Sequence, residues 1–297
     1  MDKILITGGT GLIGGHLQAI LKENNFEVNI LSRNPTKKNE FYWNISENHI
    51  DKKAFEGVTH IIHLAGAGIA DKRWTNKRKK ELIDSRVQSA NLLFKKVKEY
   101  KIPLKGFISS SGIGYYGAIT SDIIFNEEDA PNNDFISSIC VKWEKAAQQF
   151  EQLEIPITIL RTGVVLTQKR GALHKMNTPI FLSALGTGKQ YLPWIHVADL
   201  CHLYLEAINN HNFNGIFNAV APEHQTNENF MKALGKALKK PVFPMNAPSF
   251  ILKTALGEMA YILLNGSRVS SQKTSKFYEF KFSNLESALN NIYCNEQ

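Results

Sequence analysis

Three glycines spaced three apart, Gly8, Gly11 and Gly14, close one apolar run and open a helical pattern, an arrangement suited to holding an anion against the backbone. Gly8 permits a tight strand-to-helix turn, Gly11 lets N–H groups approach a pyrophosphate, and Gly14 lets helix and strand pack. The helix N-terminus adds partial positive charge. Thr10, Leu12 and Ile13 belong to the same contact. The spacing is G-x-x-G-x-x-G rather than G-x-G-x-x-G, so the dinucleotide pattern is matched in mechanism and not letter for letter.

Further along lie other residues able to do chemistry. Ser32 and Arg33 follow the second apolar run, where an acidic side chain would take the ribose 2′-OH of NAD and an arginine accommodates a 2′-phosphate, so Arg33 assisted by Ser32 points to NADP(H). Leu64, Ala65 and Gly66 end a buried run in small residues that leave room for a cofactor. The stretch 109–117, Ser-Ser-Ser-Gly-Ile-Gly-Tyr-Tyr-Gly, crowds hydroxyls at the end of a strand, which makes Ser111 and the pair Tyr115 and Tyr116 site candidates. Glu81 and Arg86 sit on a long helical segment, where a charged surface pair is the plainer reading of them.

The elements that must position these groups alternate strand and helix. Strands are expected at 3–7, 27–31, 41–44, 60–66, 105–108 and 156–160, and helices at 12–23, 75–100 and 135–153. That repetition predicts a doubly wound, Rossmann-like parallel α/β sheet with ligands at its carboxyl edge. Past residue 166 the pattern changes: a helix at 197–208, a strand at 215–220, and then mostly helix. The expected division is a cofactor-binding domain over 1–166 and a smaller, mostly helical substrate-side lobe over 167–297. Residues 189–220 are a segment that could return to the first domain.

Composition narrows the function classes. The chain has 297 residues, 43% of them hydrophobic, enough for a large core. No apolar run reaches the roughly 20 residues of a membrane helix, and a strand follows the first residues directly, so a cytoplasmic location is expected. Cys140, Cys201 and Cys294 have no metal-type spacing, so reduced thiols are expected and no metal site. The net charge of +8 is densest between Lys72 and Lys80, and no nucleic-acid motif accompanies it.

Taken together, these residues resemble the extended, epimerase-like branch of the short-chain dehydrogenase/reductase superfamily. The stretch 109–117, Trp143-Glu144, Trp-Ile-His-Val-Ala-Asp at 194–199 and Leu-Gly-Glu-Met-Ala at 256–260 are similar to an atypical subgroup of predicted oxidoreductases or epimerases. That subgroup carries a C-terminal domain of unknown function, corresponding to about 241–292. Ordinary members use Tyr-x-x-x-Lys, in which tyrosine is the acid/base and lysine lowers its pKa. Counting back from Glu144, those places hold Ile136 and Cys140. The usual asparagine corresponds to Arg86 and the serine to Ser111. The resemblance moves Glu81 and Arg86 toward cofactor contacts, alongside Val164.

Two functions follow as expectations. One is an NADP(H)-dependent oxidoreductase or epimerase-like enzyme on a small molecule, with Ser111 polarising the reacting oxygen. Tyr116, Tyr115, His196 or Cys140 would replace the lost proton donor, Tyr116 needing a cation such as Arg86 to lower its pKa. The other is an NADP(H)-binding redox sensor or scaffold without turnover. Neither reading calls for nucleic acid or a membrane as partner.

Overall fold

The computed structural model describes residues 2–168 and 170–294. In chain order its strands are β1 (Lys3–Thr7), β2 (Glu27–Ser32), β3 (Glu40–Asn44), β4 (His49–Ile50), β5 (Val58–His63), β6 (Gly106–Gly112), β7 (Ile124–Phe125), β8 (Ile157–Thr162), β9 (Val164–Leu166), β10 (Trp194–His196), β11 (Gly215–Ala219) and β12 (Arg268–Val269). The helices are α1 (Leu12–Glu23), α2 (Asn76–Tyr100), α3 (Phe135–Gln148), α4 (Ala172–Met176), α5 (Val197–Asn209), α6 (Asn227–Leu238), α7 (Ser249–Leu256), α8 (Tyr261–Leu264) and α9 (Leu285–Cys294).

An eight-stranded sheet runs in the order β11-β8-β6-β5-β1-β2-β3-β4. Only the β3–β4 pair is antiparallel. Because parallel neighbours need a crossover, their helices lie on the sheet faces. Leu17 and Leu21 of α1 and Leu200, Leu203 and Tyr204 of α5 cover one face, and Leu92, Leu93 and Val97 of α2 with Ala147 of α3 cover the other. The leucines and the valine among them, buried this fully, stabilise the fold by about 1.5–3 kcal/mol each. Since α1 leaves β1 on one face and α2 leaves β5 on the other, the chain diverges between these two strands. A crevice opens there at their carboxyl ends. Register brings Thr7 level with Leu31 and His63, and Ser111 level with Arg161.

The strand expected at 60–66 stops at His63, so Leu64 to Gly66 form the loop leaving it. The helix expected over 135–153 is α-helical to Gln148 and tightens into a 3-10 turn over Gln149–Leu153. The segment 189–220 contributes α5 and β11 to the large sheet, where β11 pairs with β8.

The remaining C-terminal part is mainly helical. Leu173 and Leu182 pack with Trp194, with Phe230 and Leu234 of α6 and with Leu285 and Leu289 of α9 in a separate core. A small cluster joins this part to the sheet edge: Met259, Leu256 and Ile262 meet Trp74, Leu82 and Ile139. Cys140 and Cys201 are buried free thiols, and the side chain of Cys294 lies outside the described residues. Among the described residues no helix is long and apolar enough to cross a membrane.

Candidate functional site

The turn after β1 is built around its backbone. Gly8 has φ +70°, a left-handed conformation that a side chain disfavours, and its carbonyl accepts from the Gly11 N–H at 2.9 Å. Gly11 caps α1 without a side-chain hydrogen bond, and the first turn of the helix carries no acidic residue. The amides of Leu12, Ile13 and Gly14 are therefore at the end of a helix that has no side-chain acceptor for them. A Cβ at Gly11 would meet only the Gly8 carbonyl at 3.1 Å, whereas one at Gly14 would strike Gly9 Cα at 2.5 Å. The sparse surroundings of Gly11 suit an approaching pyrophosphate, and the tight contact at Gly14 is the close packing of the helix on the turn. Gln18 completes the turn by donating to the carbonyls of Gly9 and Gly14, a brace not foreseen from the sequence.

At the end of β2, Arg33 is exposed and Ser32 Oγ accepts from the Asn34 N–H. The nearby carboxylate, Glu40 on β3, is occupied by the Thr36 N–H at 2.8 Å and the Thr36 hydroxyl. Beyond β5, the Ala65 N–H donates to Thr7 Oγ1, which is also hydrogen-bonded at 2.7 Å to His63 Nδ1. His63 Nε2 lies 3.2 Å from Ser89 Oγ on α2. This chain of contacts fixes the loop carrying Leu64, Ala65 and Gly66. Burial pulls the His63 pKa down to about 4.

At the end of β6 the hydroxyls are arranged differently from expectation. Ser111 donates to Glu144 Oε1 at 2.6 Å, and Arg161 grips the same carboxylate through Nε and Nη2, both at 2.9 Å. Arg161 Nη1 also donates to the Tyr116 hydroxyl at 3.0 Å, which in turn donates to Asn218 Oδ1 at 2.8 Å. The cation beside Tyr116 is thus Arg161 and not Arg86, which corrects the pairing expected above. Tyr116 is only 2% exposed, and burial pushes its pKa up to about 12 despite Arg161. Tyr115 is half-buried, its ring 3.3 Å from the Arg161 guanidinium carbon.

Cys140 is buried, and desolvation pushes its thiol up to about 12, so it is a thiol and not a nucleophilic thiolate near neutrality. His196 caps α5 by accepting from the Ala198 N–H and packs on Phe282. The places of the usual tyrosine and lysine do face the β6 exit. A Cβ on Gly114 would lie 2.5 Å from Ile136 Cγ1, and one on Gly112 would lie 3.8 Å from Cys140 Sγ.

Glu81 is 55% exposed at its side chain and pairs with Arg78 rather than Arg86. Arg86 is buried under the exposed Gly66, its guanidinium 4.8 Å over the Trp143 ring. Val164 lies on β9, its N–H bonded to the Pro193 carbonyl. Glu144, Arg161 and Asn218 were not singled out from sequence. Trp143-Glu144 as a motif was the one signal pointing to them.

The fold and the glycine turn together define an NAD(P)-binding protein of the oxidoreductase and epimerase type. The chain belongs to the NAD dependent epimerase/dehydratase family, whose model matches residues 4–219, and a domain of unknown function, DUF1731, matches residues 247–292. An epimerase family protein of Staphylococcus aureus is 34% identical over 302 residues, covering 98% of this chain and 99% of that one. The crystal structure of a human epimerase family protein, SDR39U1 isoform 2 with NADPH, superposes with a TM-score of 0.87 at 29% identity, covering 99% of each chain. A nucleoside-diphosphate sugar epimerase from Corynebacterium glutamicum gives a TM-score of 0.80 at 25% identity over 100% of this chain and 59% of that one.

Proposed function

We propose that the chain is an NADP(H)-dependent oxidoreductase or epimerase-like enzyme acting on an unidentified small molecule in the cytoplasm. The observation that carries the NADP(H) preference is the end of β2: Arg33 stands exposed, and Glu40 is held by Thr36. A carboxylate free to take a ribose 2′-OH is replaced there by a guanidinium suited to a phosphate. The human relative's NADPH is in keeping with this reading.

When bound, the cofactor supplies or accepts a hydride at its nicotinamide. The chain's residues do the rest. Amides of Leu12, Ile13 and Gly14 hold the pyrophosphate, Thr10 and Gly11 border it, and Ser32 with Arg33 take the 2′-phosphate. Leu64, Ala65, Gly66 and Val164 line the crevice, with Arg86 and Glu81 on its α2 side. Ser111, whose proton goes to Glu144, offers lone pairs to a substrate hydroxyl.

Half of the basic cluster is engaged within the fold, with Arg78 on the Gly68 carbonyl, Lys79 on Glu258 and Lys80 on Asp84. This supports a small-molecule partner rather than nucleic acid.

A second reading, an NADP(H)-binding sensor without turnover, is favoured by Ile136 and Cys140, neither of which supplies the usual acid/base. The two are separated by titrating the chain with NADPH and NADH in a calorimeter, then following NADPH absorbance against a metabolite library. Tighter NADPH binding with oxidation by one compound class supports the enzyme. Tighter binding with no oxidation throughout supports the sensor, and equal affinities remove the NADP(H) assignment.

A further inference from the structure

Three arginines are buried near the carboxyl edge of the sheet, and two of them have a carboxylate. Arg161 is forked onto Glu144, and Arg78 lies 2.8 Å from Glu81. Arg86 has no ion-pair partner among the described residues, although it is only 9% exposed. Its Nη1 donates to the Leu82 carbonyl at 2.9 Å, while its Nε is buried without a hydrogen bond. A buried guanidinium lacking counter-charge is unfavourable unless something else supplies the charge.

The way in is at Gly66. That residue is exposed, and a Cβ there would come within 3.0 Å of Arg86 Cζ, so glycine leaves the guanidinium accessible from the crevice. The Trp143 ring also covers the guanidinium, 4.8 Å from its carbon. Cys140, in the place of the missing lysine, stands beside the β6 exit, its Sγ 3.8 Å from a Cβ built on Gly112, and it feels the charge of Arg86, so cation and serine strand share one neighbourhood.

We propose that Arg86 is the docking point for a carboxylate carried by the substrate, so that the enzyme acts on a carboxylated small molecule. This rests on the enzyme reading above. The planar fork of a guanidinium matches two carboxylate oxygens, which an ammonium does not. Arg78 does not compete, because Glu81 already neutralises it.

Thermal unfolding of the full chain in acetate or oxamate, against chloride at equal ionic strength, tests the proposal. The melting temperature is expected to rise by about 3 °C at tenfold excess over Kd. Arg86→Met abolishes that rise and, having lost an unpaired buried charge, melts higher than the parent in chloride. Arg86→Lys keeps part of the rise. Should Arg86→Met fail to fold, Gly66→Ala, which presses on the guanidinium from its open side, must lose the rise instead. A rise that survives in Arg86→Met but disappears in Gly11→Val moves the anion to the α1 N-terminus and overturns the proposal, as does no rise in the parent chain. NADPH titration of the same preparations reports separately on the cofactor: a carboxylate effect without NADPH binding overturns the enzyme reading and with it the carboxylated substrate, leaving Arg86 an anion site alone, whereas NADPH binding without a carboxylate effect removes only this proposal.

Discussion

Ser111 donates its hydroxyl proton to Glu144 across 2.6 Å, and both side chains are buried. Arg161 occupies both oxygens of that carboxylate, so the serine is locked in one orientation with its lone pairs available. A serine so held accepts a hydrogen bond more readily than it polarises a carbonyl. Ser111→Ala is expected to lower turnover roughly a hundredfold with NADPH affinity within a few-fold, measured by steady-state kinetics on a substrate found by screening. Unchanged activity would remove Ser111 from the reaction.

Tyr116→Phe is expected to register in stability. Its hydroxyl accepts from Arg161 and donates to Asn218 in the interior, so removal leaves buried partners unmatched, at a cost of about 1–3 kcal/mol. Glu144→Gln strands the Arg161 charge and costs about 3–5 kcal/mol, while the double variant Glu144→Gln with Arg161→Met loses less than the sum of the two. Urea denaturation measures each. A Tyr116→Phe variant as stable as the parent but without turnover would return this residue to the chemistry.

Arg33→Ala is expected to erase a ten- to hundredfold preference for NADPH over NADH, about 1.4 kcal/mol per tenfold, by loss of NADPH affinity alone. Calorimetry of both cofactors on both proteins checks it, and unchanged discrimination in the variant locates the 2′-phosphate elsewhere.

Gly11→Val adds a side chain where only one backbone oxygen lies near, at a surface turn. Cofactor binding is expected to disappear with the fold retained, seen as loss of NADPH fluorescence enhancement beside an unchanged circular dichroism spectrum. Normal NADPH binding by the variant would displace the phosphate site.

Acid is expected to weaken the protein before its carboxylates titrate. His63 is buried with its pKa lowered by desolvation to about 4, against an ordinary 6.5, so between those values the unfolded chain binds a proton that the folded chain does not. Stability is fully present above about 6.5 and is lost as pH falls toward 4. His60 and His196, likewise lowered to about 4 by burial, act in the same direction. Urea midpoints at pH 7, 6 and 5 should fall progressively, less so in His63→Asn. A flat profile in the parent chain would contradict the assignment.

The sheet and the glycine turn were legible because both are local. Glycine spacing, apolar runs of strand length and helical periodicity each lie within a few tens of residues. The network around Ser111 is not local: Arg161 is 17 residues from Glu144 and 45 from Tyr116, and Asn218 is 102 from Tyr116. Hydroxyl content alone made Tyr115 and Tyr116 equivalent, yet the β6 exit buries one and leaves the other half-covered. Arg86 was read as the cation for tyrosine because sequence spacing carries no information about which buried arginine reaches Tyr116; Arg86 lies over Trp143 and Arg161 over Glu144 of the same helix, and only Arg161 extends to the phenol.

The position of β11 has a consequence for how the molecule is made. This strand closes the β8 edge of the sheet, yet it is translated after α4, β10 and α5. Until Gly215–Ala219 leaves the ribosome, the nascent chain presents β8 as an open edge, with hydrogen-bonding groups free to recruit another polypeptide. A fragment ending at residue 166 would keep that edge permanently, so any fragment in which β8 is paired on both sides must extend at least through residue 219.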